Sequence, residues 1–174
     1  RSKDTSSGFG GAYLQLGGNL FMKNTVFTNN HATYNGGSLY LSYVTSNITN
    51  CNFTSNGVDV IEGYPTYGGA IFNDMGTLNV DKSNFINNTA SAGNAIGAYE
   101  SSYNIKSSLF ENNTNHIYTF FNKGGVLENN VYINDDNVST NNEIHSTIVI
   151  GQGMQLTLLN KIEIGRAVQQ ECRD

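Results

Sequence analysis

The chain has 174 residues, a formal net charge of −5 and only 13% charged residues, and it is dense in glycine and asparagine. The acidic balance argues against nucleic acid as a partner, which needs a basic face, and no apolar run reaches the roughly 20 residues of a membrane span. Disorder is excluded too, because the apolar and aromatic residues recur at fixed intervals.

Taken in chain order, the first unit runs from the pair Gly10-Gly11 through Tyr13 and Met22 to Phe27, with Asn29 and Asn30 close behind. The second repeats the order with Gly36-Gly37, Leu39, Ile48, Phe53, Ser55 and Asn56. The third has Gly68-Gly69, Ile71, Val80, Phe85, Asn87 and Asn88, and the fourth Gly93-Asn94, Ile96, Ile105, Phe110, Asn112 and Asn113. A degraded fifth copy is read from Asn115 through Tyr118, Leu127 and Tyr132 to Asn134 and Asp135, and residues 144–159 are expected to form a sixth. First glycine and aromatic are always 17 residues apart, from Gly10 to Phe27 as from Gly93 to Phe110, while the units vary between 22 and 32 residues. Two residues before each aromatic stand Thr25, Cys51, Ser83, Ser108 and Asn130, a small or polar column in which Cys51 reads as a buried filler.

Apolar columns at short spacing, with polar neighbours, predict short strands that bury one face. Glycine pairs and Asn-Asn pairs predict turns, since both residues accept positive φ. No stretch sustains a helical period. A unit of about 25 residues with three short strands and tight turns therefore predicts an all-β solenoid. Its form is a parallel β-helix of about five to six coils over residues 8–163, with coils about 4.8 Å apart. Stacking would place Phe27, Phe53, Phe85, Phe110 and Tyr132 in one internal aromatic ladder. It would place Asn30, Asn56, Asn88 and Asn113 in an amide ladder at a corner.

The second unit is the longest, because 57–67 (Gly-Val-Asp-Val-Ile-Glu-Gly-Tyr-Pro-Thr-Tyr) is inserted after Asn56 and carries the only proline. Insertions in solenoids emerge as surface loops that often carry binding. Tyr64 and Tyr67 are candidates to stack on sugar rings there, with Asp59 and Glu62 as hydrogen-bond acceptors.

Gly-Gly-Ala-Ile (68–71) followed by Phe-Ile-Asn-Asn (85–88) resembles the GGAI and FxxN repeats of polymorphic outer-membrane proteins and of adhesin-like surface proteins of archaea and gut bacteria. Further copies are Gly-Gly-Ser-Leu (36–39), Phe-Thr-Ser-Asn (53–56) and Phe-Glu-Asn-Asn (110–113). The resemblance implies a right-handed parallel β-helix from an extracellular, surface-displayed protein with a structural and adhesive role, whose partners are glycans or host and neighbour-cell surface proteins. Residues 164–174 depart from the repeat and resemble the in-frame translation of a sequencing adapter, so they are expected to be non-native.

The enzymatic alternative is a fragment of a carbohydrate-active, pectate-lyase-like β-helix, which needs clustered carboxylates and a basic residue. The only adjacent acids are Asp135-Asp136, and no arginine lies between Ser2 and Gly165, so no catalytic activity is expected. His31, His116 and His145 lack the spacing of a metal cluster, calcium-loop and phosphate-loop motifs are missing, and no cofactor is expected. Five sequons (at Asn47, Asn52, Asn87, Asn112 and Asn137) permit N-glycans, though an Asn- and Thr-rich chain also produces such triplets by chance.

Overall fold

In a computed structural model the described residues are 8–121 and 123–133, with the backbone of four strands between 137 and 158. The described elements are all β-strands, and they recur unit by unit. Unit one holds β1 (Tyr13–Lys23), β2 (Val26–Thr28) and β3 (His31–Ala32). Unit two holds β4 (Leu39–Thr49), β5 (Asn52–Thr54) and β6 (Gly57–Val58). Unit three holds β7 (Ile71–Asp74), β8 (Thr77–Asp81) and β9 (Asn84–Ile86). Unit four holds β10 (Ile96–Tyr99), β11 (Ser102–Lys106) and β12 (Leu109–Glu111). Unit five holds β13 (Asn115–Phe120), β14 (Gly124–Glu128) and β15 (Val131–Ile133). Beyond it come β16 (Asn137–Thr140), β17 (Ile144–His145), β18 (Val149–Ile150) and β19 (Gln155–Leu158).

Each strand pairs in parallel with its counterpart one unit away. The long β4 carries β1 on one edge; on the other, its first half pairs with β7 and its second half with β8. The resulting sheet runs β17-β14-β11-β8-β4-β7-β10-β13-β16-β19. A second sheet runs β18-β15-β12-β9-β5-β2, and β3 pairs with β6. Alternation decides what each strand buries: in β8, Leu78 and Val80 are buried while Thr77, Asn79 and Asp81 are partly exposed.

The interior is filled by like stacked on like. Phe27, Phe53, Phe85, Phe110 and Tyr132 have successive ring centroids 4.8, 4.9, 4.9 and 5.1 Å apart, and the four phenylalanine planes lie within 5° of their neighbours. Beside them runs an amide column. Asn30 donates from both its backbone N–H and Nδ2 to Asn56 Oδ1 (3.0 and 2.9 Å), and Asn56 does the same to Asn88 Oδ1 (3.0 and 3.0 Å). Asn88 continues to Asn113 Oδ1 (2.9 and 3.0 Å). The remaining Nδ2 hydrogens of Asn56, Asn88 and Asn113 go to the carbonyls of Phe27, Phe53 and Phe85, each at 3.0 Å. Every donor and acceptor of the buried Asn56 and Asn88 amides is thereby used, which is what their burial requires. A third column follows the same rule: the N–H groups of Cys51, Ser83 and Ser108 donate to Ser83 Oγ, Ser108 Oγ and Asn130 Oδ1 at 3.1, 3.1 and 3.0 Å.

Corners between strands sit at positive φ. The first glycines Gly10, Gly36, Gly68 and Gly93 lie at 58–69°, and a Cβ on Gly36 would run into the carbonyl of Leu39. Asn24, Asn50, Lys82, Ser107 and Asn129 (49–54°) form the corner before the aromatic strand, and Asn29, Ser55, Asn87 and Asn112 (53–56°) the one after it. Left-handed backbone costs most L-residues roughly 1–2 kcal/mol and Asn least, which accounts for asparagine at these corners.

Two registers differ from the sequence reading. Ile96 pairs with Ile117, so Ile117 and not Tyr118 is the inward residue of unit five. The chain makes up the step in the turn between β13 and β14, which holds one residue more than the turn between β10 and β11. Beyond unit five, the next unit begins at Asn137 instead of residue 144, because β16 pairs with β13, and β19 in turn pairs with β16. Residues 134–136 and 164–174, which include Asn134, the Asp135-Asp136 pair and the non-native tail expectation, lie outside the described residues.

Asn88→Ala orphans the donors of Asn56 and removes the Nδ2 bonds to the Phe53 carbonyl and to Asn113 Oδ1, which keeps the backbone N–H of residue 88. It is expected to lower unfolding stability by about 4 kcal/mol, against about 1 kcal/mol for Asn30→Ala at the end of the column. Urea denaturation with an unchanged m-value measures both.

Candidate functional site

The inserted segment is shorter than its sequence limits, because Gly57 and Val58 still pair with His31 and Ala32. It leaves the stack at Asp59 and returns at Thr66, whose Oγ1 donates to the Asp59 carbonyl at 2.9 Å and meets Ser91 Oγ at 3.0 Å. Asp59 Oδ1 lies 2.6 Å from His31 Nε2, both side chains about half exposed. Between them a turn brings Tyr64 N–H to the Ile61 carbonyl (3.0 Å) around Gly63 at φ 78°. Glu62 and Tyr64 are exposed on it, Tyr64 to 70%.

Tyr67 is placed elsewhere. On the outer face of the β4-β7-β10-β13 sheet, Tyr40, Phe72, Gly97 and Tyr118 are in register, and Gly97 leaves that outer column without a side chain. Tyr67 occupies the slot: its ring lies 6.0 Å from Phe72 and 5.8 Å from Tyr118, at interplanar angles of 28° and 17°. A Cβ on Gly97 would come within 3.0 Å of both the Tyr67 Cβ and Phe72 Cδ2. Asn35 Oδ1 accepts the Tyr67 N–H at 2.7 Å and fixes the loop's return. Both ring faces of Tyr67 are therefore occupied by protein, and the structure does not bring it together with Tyr64 as one sugar-stacking pair. Burial, then the neighbouring Tyr118, raises its hydroxyl above the ordinary tyrosine range.

This outer ladder continues at both ends. Phe9 lies 4.7 Å from Tyr40 and 5.3 Å from Tyr34, and Tyr40 lies 5.6 Å from Phe72. At the far end Phe120 meets Tyr67 and Tyr99 at 4.9 Å each, and Phe121 stands edge-on to Tyr99 at 86°. Tyr40 Oη and Ser42 Oγ donate to Asp74 Oδ2 at 3.1 and 3.0 Å, and burial together with that carboxylate pushes the Tyr40 hydroxyl up to about 12. The signal for this second ladder was available: an aromatic directly follows the inward residue at Leu39-Tyr40 and Ile71-Phe72, and Gly97 breaks the series.

A shallow groove of about 320 Å³ crosses the β4-β8-β11 face, lined by polar side chains including Asn47, Asn79, Asn104, Asp81 and Lys106. Asn47, Asn79 and Asn104 are in register, as are Asp81 and Lys106. Among the described residues no group of three or more His, Cys, Asp or Glu side chains is arranged to hold a metal, and no helix is long and apolar enough to cross a membrane. Inside the stack, His116 follows Ala70 and Ala95 in one column and is fully buried against Phe110 and Tyr132. Burial drives its pKa from 6.5 down to about 3.

A stretch of 107 residues, 62% of the chain, is 34% identical to the metabotropic glutamate receptor-like protein R of Dictyostelium discoideum, and it spans 6% of that protein. No family model matches the chain, and no solved structure matches it.

Two measurements probe these placements. Tyr67→Ala opens a gap between Phe72 and Tyr118 and is expected to cost about 2 kcal/mol in chemical denaturation. His116 is neutral in the fold, whereas the unfolded chain binds its proton below about pH 6.5, so stability falls as pH drops from there towards about 3. The slope from this group approaches about 1.4 kcal/mol per pH unit. His116→Ala, the residue its column uses at Ala70 and Ala95, is expected to remove that component from the pH dependence of the denaturation midpoint.

Proposed function

We propose that this chain is a segment of a right-handed parallel β-helix, built of GGAI/FxxN repeats like those of polymorphic outer-membrane and adhesin-like proteins. In this reading it belongs to an extracellular, surface-displayed protein, serves as a stiff adhesive stalk and has no catalytic activity. The observation that carries it is the interior: the phenylalanine and asparagine columns find their partners only in the neighbouring units, so the units exist to be stacked. Crossovers between parallel strands of one sheet are almost always right-handed, which supports the handedness. Similarity to a receptor-like protein supports a surface setting. The outer face then presents aromatic rings and amides, groups suited to sugar hydroxyls and C–H faces, so glycans are the favoured partners.

Small-angle scattering of the chain is expected to show a rod that lengthens by about 4.8 Å for each added unit; a globule of constant width would end the solenoid reading. Glycan arrays and cell-binding assays test adhesion, and retention on neither would end the adhesive one. The lyase reading draws on one observation, the neighbouring Asp81 and Lys106 in the polar groove. Incubation with polygalacturonate decides it: unsaturated oligomers released in proportion to protein, and lost in Lys106→Ala, would establish an enzyme in place of a stalk.

A further inference from the structure

We propose that the corner carrying Tyr43, Met75, Glu100 and Phe121, with Asp74 and Tyr99 beside it, binds an amine-bearing glycan. This inference rests on the glycan-adhesive role proposed above and names the surface and the sugar class.

One turn of the stack breaks the chemistry of the others. Elsewhere the left-handed positions hold Gly, Asn, Ser or Lys, whereas this corner places Tyr43, Met75, Glu100 and Phe121 at φ 44–56°. Bulky side chains are poor choices for that backbone, and Asn or Gly would relieve it. They are not there for packing: Tyr43 is 65% exposed and Phe121 73% exposed. Strained residues that keep large apolar groups in water mark a surface held for recognition. The ring arrangement agrees. Through Phe72, Tyr67 and Tyr118 the outer ladder stacks face on face and offers mainly edges. At the corner the geometry opens: Phe120 tilts 49° to Tyr99, and Phe121 stands 86° to Tyr99 and 65° to Phe120, which frees ring faces for a ligand.

Acidic groups outnumber basic ones at this corner, with Asp74 and Glu100 against one lysine, Lys123, in the same turn as Phe121. Asp74 is held by the neutral hydroxyls of Tyr40 and Ser42, and the neighbouring Glu100 raises the Tyr99 hydroxyl above the ordinary tyrosine range. Among the described residues neither carboxylate is ion-paired, and Lys123, two residues beyond Phe121, bridges to neither; the ion pair that does form, His31–Asp59, lies beside the β3-β6 pair. Two unneutralised carboxylates beside exposed aromatic faces complement a cation, by charge and by cation–π attraction, and repel uronate or sulfated chains. Successive corners are about 4.8 Å apart, close to the length of one sugar residue, so a glycan lying along the stack meets one corner side chain per sugar.

The test is isothermal titration of the full chain with a glucosamine hexamer, its fully N-acetylated form and polygalacturonate. The glucosamine hexamer is expected to bind, with the N-acetylated form weaker and polygalacturonate not binding. Phe121→Asn and Glu100→Gln are each expected to weaken binding about ten-fold. Phe121→Asn installs the residue that other corners use, so its thermal midpoint should hold or rise, and a loss of binding cannot then be put down to misfolding. Equal affinity for the N-acetylated form, or binding unmoved by either variant, overturns the proposal. If another glycan binds the chain and is insensitive to both variants, this corner is excluded while the adhesive role stands. If no glycan on an array is retained, both fall, and capture of a lysine-rich protein at the corner would reassign it to protein recognition.

Discussion

A buried amide that can be satisfied only by the units stacked on either side of it is the constraint on which the structure depends. Asn56 and Asn88 each use both amide hydrogens and accept two more, and all four of those bonds run to the units on either side. Pull one unit away and its neighbours keep buried polar groups with no partner, which costs far more than a lost contact. Parallel pairing and the phenylalanine stack reinforce the same requirement, since neither exists within one unit. Stability of this kind belongs to the interfaces between units, as in other repeat proteins.

That constraint acts on the inside and leaves the outside free. Inward columns are held to one kind of chemistry, apolar in one and small or polar in another, and a deviation such as His116 in an alanine column survives only by staying uncharged. Outward columns change from unit to unit: Thr49, Asp81, Lys106 and Glu128 occupy one register without a shared chemistry. Variation outside against repetition inside is what a display scaffold needs, because surfaces can be altered one side chain at a time without disturbing the stack. The long unit shows the same tolerance at larger scale. The residues between Asp59 and Thr66 leave the stack, and the chain re-enters with Thr66 and with Tyr67 lodged over Gly97.

The similarity to a receptor-like protein covers 6% of that protein, so it describes a region and not an activity. What this region recognises is set by its surface, where the corner at Tyr43 and Phe121 lies.

The sequence by itself determined the repeat, because in-register stacking forces constant offsets that can be counted without coordinates. Phe27, Phe53 and Phe85 sit at equal distances from their glycines for the same reason that their rings lie about 4.9 Å apart. Counting failed where the repeat decays. Asn115 was matched to a glycine by an offset that a one-residue longer turn reproduces by coincidence, and only pairing shows Ile117 facing inward. Tyr67 read as a loop residue because sequence order puts it beside Tyr64, whereas three-dimensional stacking puts it between Phe72 and Tyr118. Period and interior follow from local spacing, which a linear chain carries; which outer side chains meet depends on contacts between units and on an empty glycine slot, and those come into being only when the units are stacked.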